Sequence, residues 1–145
     1  MARVKDLLTL DLFDVPTPAP STPGAMNYAR EIAAVMSQAL KDCAHDRVEV
    51  AARMTRLTGK EVSLAMLNAY TAESRETHNI SMEKAITFDA ATGGFALLKF
   101  YAAKRGCKVM VGKDVLLAEL GRIDQEKADL ARQEKAIKHY LEGKQ

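Results

Sequence analysis

Every proline of this chain, at positions 16, 18, 20 and 23, falls within VPTPAPSTPG, residues 15–24, and none follows. Proline lacks an amide donor and restrains the residue before it, so this stretch cannot hold a helix, whereas the rest of the chain is free to be helical. From Met26 onward alanine, leucine, methionine and glutamate recur, a composition that favours helix. The expected fold class is all-α: a compact bundle of about five short helices with an extended N-terminal arm and a long C-terminal amphipathic helix. The arm covers residues 1–24, the helical domain 25–106, a link 107–114, and the long helix 115–142.

At 145 residues, with 48% apolar and 28% charged side chains, the chain has the length and balance of one ordinary domain, or of a compact domain with an appendage. The uncharged stretches, such as VSLAMLNAYTA, are too short to span a bilayer. The N-terminal MARVKDLLTLDLFD mixes acids with its leucines, unlike the order of a signal peptide. The expectation is a cytoplasmic protein with no membrane partner. Cys43 and Cys107 form no CxxC and have no histidine at ligand spacing, which fits buried thiols better than a disulfide or a zinc site. A formal charge of +2 does not by itself imply nucleic acid, so any such reading depends on where the charge sits. Within the arm, LLTLDLF is apolar enough to dock as a short strand or helix on its own domain, to cover an oligomer interface, or to bind a partner as a linear motif.

Local signals divide the helical part. A first helix is expected over NYAREIAAVMSQALKDC, with Ile32, Val35, Met36, Ala39 and Leu40 on one face. Asp46 and Glu49 form a capping-box pattern at the start of DRVEVAARMTRL, whose apolar face is Val48, Ala51, Ala52 and Leu57, with Val50 and Met54 alongside. TGKEV interrupts. Ser63 then caps a third helix, LAMLNAYTAES, facing inward through Leu64, Leu67 and Ala69 or Tyr70. Ser81 caps a fourth, MEKAITFDAAT, which GG ends, and a fifth, FALLKFYAAKR, stops at Gly106. CKVMVGKD is β-branched enough for a short strand or an extended link.

The stretch VAARMTRLTGKEVSLAMLNAYTAESRE followed by ISMEKAITFDAATG resembles the helix-turn-helix domains of the phage repressor and Cro type. The chain is also similar to small uncharacterised proteins carried by Mu-like transposable prophages. The resemblance covers residues 27–105. It implies a second helix with a small residue, Ala51 or Ala52, facing its partner, and a third helix opened by the capping Ser63. In the family a glycine usually follows that small residue by four positions, whereas Gly59 lies eight after Ala51. Either the second helix is one turn longer, with Met54, Leu57 and Val62 filling the junction, or the pair is an unrelated helical hairpin.

If the third helix enters a groove, Ser63, Asn68 and Thr71 are the base-reading candidates, asparagine being able to pair bidentately with adenine. Arg53, Arg56 and Lys60, near the turn, are candidates for the DNA backbone. The alternatives are that Ser63 and Thr71 serve as caps or solvent contacts and that Asn68 is an ordinary exposed residue. Residues 41–78 carry Lys41, Arg47, Arg53, Arg56, Lys60 and Arg75 against Asp42, Asp46, Glu49, Glu61, Glu73 and Glu76, a balance that implies modest affinity. A second basic zone, LLKFYAAKRGCKVMVGK, holds Lys99, Lys104, Arg105, Lys108 and Lys113 without an acid. Lys99, Lys104 and Arg105 are further backbone candidates, and this zone also suits a solvated face or an acidic protein partner.

Along the last helix Leu116, Leu120, Ile123, Lys127, Leu130, Glu134, Ile137 and Leu141 alternate spacings of four and three, a heptad seam with two polar positions. Leu116, Leu120, Ile123, Leu130, Ile137 and Leu141 are the oligomerisation candidates, for a homodimer or higher oligomer, unless the helix folds back along its own domain. His45, His78 and His139 are dispersed, and neither HExxH, a nucleophile elbow nor a phosphate loop occurs. No catalytic residue, metal ligand, cofactor or small-molecule ligand is expected. The function expected is that of a sequence-specific DNA-binding regulator of phage or prophage type, acting as a dimer on double-stranded DNA. The alternatives are a protein-binding adaptor or inhibitor and a structural homo-oligomer.

Overall fold

The computed structural model describes residues 16–74 and 77–143 and is all-helical, with no β-sheet among the described residues. The helices are α1 (Ala29–Asp42), α2 (Arg47–Thr58), α3 (Leu64–Tyr70), α4 (Met82–Thr92), α5 (Ala96–Lys104) and α6 (Lys113–Glu142). The chain divides between Val109 and Met110 into two units, α1 to α5 in the first and α6 in the second. The segment LLTLDLF lies outside the described residues.

Local chemistry sets the helix ends. Asp46 accepts from the Glu49 amide at 2.8 Å, Ser63 from Met66 at 3.1 Å and Ser81 from Lys84 at 3.4 Å, each satisfying an amide that the first helical turn leaves free. Helix α3 stops at Tyr70, short of the expected Ser74, and the Thr71 hydroxyl bonds the carbonyls of Leu67 and Asn68 in its last turn. At the C-terminal ends of α4 and α5, Gly93 and Gly106 adopt left-handed φ of 76° and 71°. There Gly94 N–H reaches back to Asp89 O and Cys107 N–H to Ala102 O, closing the last turns. Residues 107–112 are irregular and contain no strand, so the strand alternative is not realised and the stretch is a link. The long helix opens two residues earlier than expected, at Lys113. Cys43 is half-buried, but Cys107 is exposed, because it lies in this link beyond the end of α5; the expectation of buried thiols is corrected there.

Helix α2 packs chiefly on α4, α1 on α5, α4 on α5 and α2 on α3. Their shared core contains Met36, Leu40, Val50, Met54, Leu67 and Phe88, with Val62 from the α2–α3 turn. The buried face of α2 is Val50, Ala51 and Met54, whereas Val48 and Leu57 are 60% and 57% exposed. The expected apolar face of α2 is thus corrected by rotation: α4 covers the 50/51/54 stripe, and Val48 and Leu57 fall outside it. Leu64, expected inward, is 39% exposed, and α3 is held to the core through Leu67 and Ala69.

The turn of residues 59–63 is fastened by two hydroxyls of α2. The Val62 amide donates to Thr55 Oγ1 at 2.9 Å, and Thr58 Oγ1 bonds the Lys60 carbonyl at 2.9 Å. Gly59, at φ 66°, reverses the chain between them. Helix α2 therefore runs to Thr58 and Gly59 ends it. The described part of the arm runs back to α5: Ala19 N–H donates to Lys104 O at 2.9 Å, and Pro18 pairs with Arg105 in an isolated antiparallel bridge.

Candidate nucleic-acid interface

Helix α3 presents two faces of different chemistry. Leu67 and Ala69 point into the core, while Ala65 and Asn68 are exposed. The three base-reading candidates do not stand alike. Ser63 is half-buried and its hydroxyl caps α3. Asn68 and Thr71 are brought together at the far end of the helix by Arg47, whose Nη1 donates to Asn68 Oδ1 and to Thr71 Oγ1, both at 2.9 Å. The Thr71 hydroxyl lies 3.1 Å from the Asn68 carbonyl, so it sits inside a small polar network. Arg47 belongs to the first turn of α2, and the sequence reading did not place it with Asn68 and Thr71. Its partners lie 21 and 24 residues away, beyond any local periodicity.

The effect on Asn68 is orientational. An asparagine amide has two nearly equivalent settings, and a guanidinium proton on Oδ1 selects the one with the oxygen towards Arg47. A carbonyl oxygen has a second lone pair, so Oδ1 still accepts once more. Asn68 is exposed, and an adenine edge would ask one Nδ2 donor and the Oδ1 acceptor of it, so Arg47 and the base would share that oxygen.

The basic candidates near the turn are engaged with acids. Arg53 donates to Ala91 O of α4 at 3.0 Å and lies 3.4 Å from Glu49; Arg56 pairs with the same Glu49 at 2.9 Å; Lys60 pairs with Glu83 of α4 at 3.2 Å. These are exposed or half-exposed pairs, worth about 0–1 kcal/mol each. Arg53 alone carries an additional inter-helical bond and holds α2 to α4.

In the second basic zone Lys99 and Arg105 are exposed, whereas Lys104 pairs with Glu31 at 2.5 Å and sits over the rings of Tyr28 and Phe100, 4.7 and 5.2 Å from their centroids. The two rings meet edge to face at 5.8 Å. Lys104 is thus a link between α1 and α5 as much as a free cation. On α6 the seam residues Leu116, Leu120, Leu130, Ile137 and Leu141 are more than half exposed, and Ile123 is 36% exposed. That helix carries its ion pairs within itself: Arg122 with Glu119 and Glu126, Arg132 with Asp129, Lys138 with Glu134. The Arg122 hydrogen bond holds the Glu119 carboxyl below its ordinary range and raises Arg122 in turn.

Among the described residues, no three histidine, cysteine or acidic side chains gather as a metal site, and no helix is long and apolar enough to cross a membrane. No family model matches the chain, and comparison with curated proteins and with solved structures yields no match.

Proposed function

We propose that this chain is a sequence-specific DNA-binding regulatory protein that uses α3 as its reading helix and acts as a dimer. The observation that carries the reading is the Arg47–Asn68–Thr71 network, which fixes the amide oxygen of the exposed Asn68 on α3, beside a fastened turn. Asn68 is the base-reading residue, supported from behind by Arg47; Thr71 completes the network, and Ser63 keeps the helix start in shape. Arg53, Arg56 and Lys60 exchange their carboxylate partners for phosphates, with Lys99, Lys104 and Arg105 as a second contact zone. Because the local charge is balanced, one domain binds weakly, and pairing of two copies along the α6 seam supplies the affinity.

The test is salt-titrated retention of mixed genomic DNA fragments by the purified full chain. Each phosphate contact contributes roughly 0.9 to the slope of log affinity against log salt. Asn68→Ala is expected to lose preference among fragments at nearly unchanged slope, and the Arg53→Ala, Arg56→Ala double variant to lose all fragments together with a shallower slope. No retention at low salt overturns the proposal.

A further inference from the structure

Helix α6 buries none of its residues, yet it carries a continuous apolar stripe. The alternating spacings of four and three put Leu116, Ile123, Leu130 and Ile137 at position d of a heptad. Leu120, Lys127, Glu134 and Leu141 then stand at position a. The two charged members of the stripe thus share one position, two turns apart. Their side chains are 73% and 64% exposed. Within the helix Lys127 lies 4.0 Å from Asp124 and Glu134 lies 2.5 Å from Lys138, exposed pairs that hold them weakly.

The charges in the stripe discriminate between the two ways in which a second copy of α6 can cover it. In parallel pairing each a residue meets itself. Lys127 is set against Lys127 and Glu134 against Glu134, so two neighbouring a layers each hold a pair of like charges at short range. The flanks add to this, because Glu119 at position g meets Asp124 at the following e of the other copy.

In antiparallel pairing a meets d. The register that uses all eight seam residues places Leu116 against Leu141, Leu120 against Ile137, Ile123 against Glu134 and Lys127 against Leu130 of the second copy. Each charged residue now faces a branched aliphatic one, along which its stem lies while its head stays at the edge. Lys127 also stands about 6 Å along the axis from Glu134 of the second copy, one helical turn and opposite in sign. On the flanks Asp124 falls beside Ala131, and Glu126 beside Gln133, so these acids no longer meet one another.

We propose, on the reading above that two copies pair along this helix, that they do so antiparallel, with Lys127 of each copy attracted to Glu134 of the other. The Leu116 ends of the two helices then lie at opposite ends of the pair, about 40 Å apart.

Two measurements on the full chain test this. In the first, a Leu116→Cys protein is co-expressed with a Leu141→Cys protein, the mixture is oxidised, and the linked peptides are identified by mass. A disulfide between positions 116 and 141 is expected to dominate; one between two copies of position 116 overturns the antiparallel order while leaving the dimer. In the second, sedimentation equilibrium follows a charge exchange. Lys127→Glu is expected to weaken the dimer about tenfold, by facing two acids with each other across the pair, and adding Glu134→Lys to restore it. Parallel pairing sets like against like in all three proteins, so equal dimer affinities overturn the proposal. A parent chain that sediments as a monomer overturns the pairing along α6 altogether.

Discussion

The carboxylate of Asp89, on α4, accepts the backbone amide of Leu97 at 3.0 Å in the first turn of α5, and its other oxygen accepts that of Leu98 at 2.9 Å. Asp89 is the one buried charged residue among those described, and it is placed where the orphan amides of a helix start need an anion. Phe95 gives α5 no side-chain cap, so Asp89 caps it from a neighbouring helix. Asp89→Ala is expected to destabilise the first unit by about 3 kcal/mol, since hydrogen bonds to charged groups contribute about 1.5–3 kcal/mol each. Asp89→Asn, keeping one acceptor, is expected to lose about half of that. Urea denaturation of both variants checks the order; equal stabilities for all three proteins would refute it.

Arg47→Ala removes one exposed and one partly buried hydrogen bond and is expected to change stability by only about 0.5 kcal/mol, within the range of surface substitutions. Its effect on DNA retention is expected to match Asn68→Ala, because the amide loses its set orientation. Arg47→Lys does not restore binding, since one ammonium on a flexible stem lacks the planar fork. If the Arg47→Lys protein reads fragments as well as its parent, Arg47 is separated from the reading residue.

Gly106→Ala combines a left-handed φ with a Cβ contact on Pro18. The backbone conformation alone is about 1–2 kcal/mol unfavourable for alanine, and the contact is relieved by moving the arm away from α5. Faster amide exchange at Ala19 than in the parent protein is the expected result, with exchange within α2 and α4 unchanged.

The α6 seam is expected to govern assembly. Leu120→Glu with Leu130→Glu places four charges in a two-stranded seam, and sedimentation should then report a monomer whose first unit still unfolds at the parent midpoint. Glu119 adds a pH dependence of known sign. Its carboxyl is held below the ordinary glutamate range by Arg122, so its contribution to α6 is present above the unfolded glutamate value and disappears as pH falls through the lower folded value. Arg122, raised from an already high value, stays charged throughout. Helix content of α6 is therefore expected to fall slightly at the acid end, and Glu119→Gln to flatten that part of the curve.

The helix order and most caps were legible because they are written locally: Asp46, Ser63, Ser81, Gly93 and Gly106 act within a few residues of themselves. The buried face of α2 was less so, since Val48 and Leu57 are as apolar as Val50 and Met54, and only the position of α4 separates them. The candidate site was legible residue by residue but not as an arrangement. Asn68 and Thr71 stand out on α3 by spacing, whereas nothing in the chain announces that Arg47 joins them. Asp89 was hidden for a related reason: an acid inside FDAAT reads as an exposed polar position until α5 is laid against it.

The two threonines that clasp the turn after α2 divide its labour. Thr55 and Thr58 engage backbone atoms of Val62 and Lys60, whereas the Lys60 side chain reaches Glu83 of α4 in an exposed pair worth about 0–1 kcal/mol. Position 60 can therefore drift in sign and size while α3 keeps its seat. The protein thus has a place beside its proposed reading helix where attraction for a polyanion can be retuned by substitution without disturbing the scaffold.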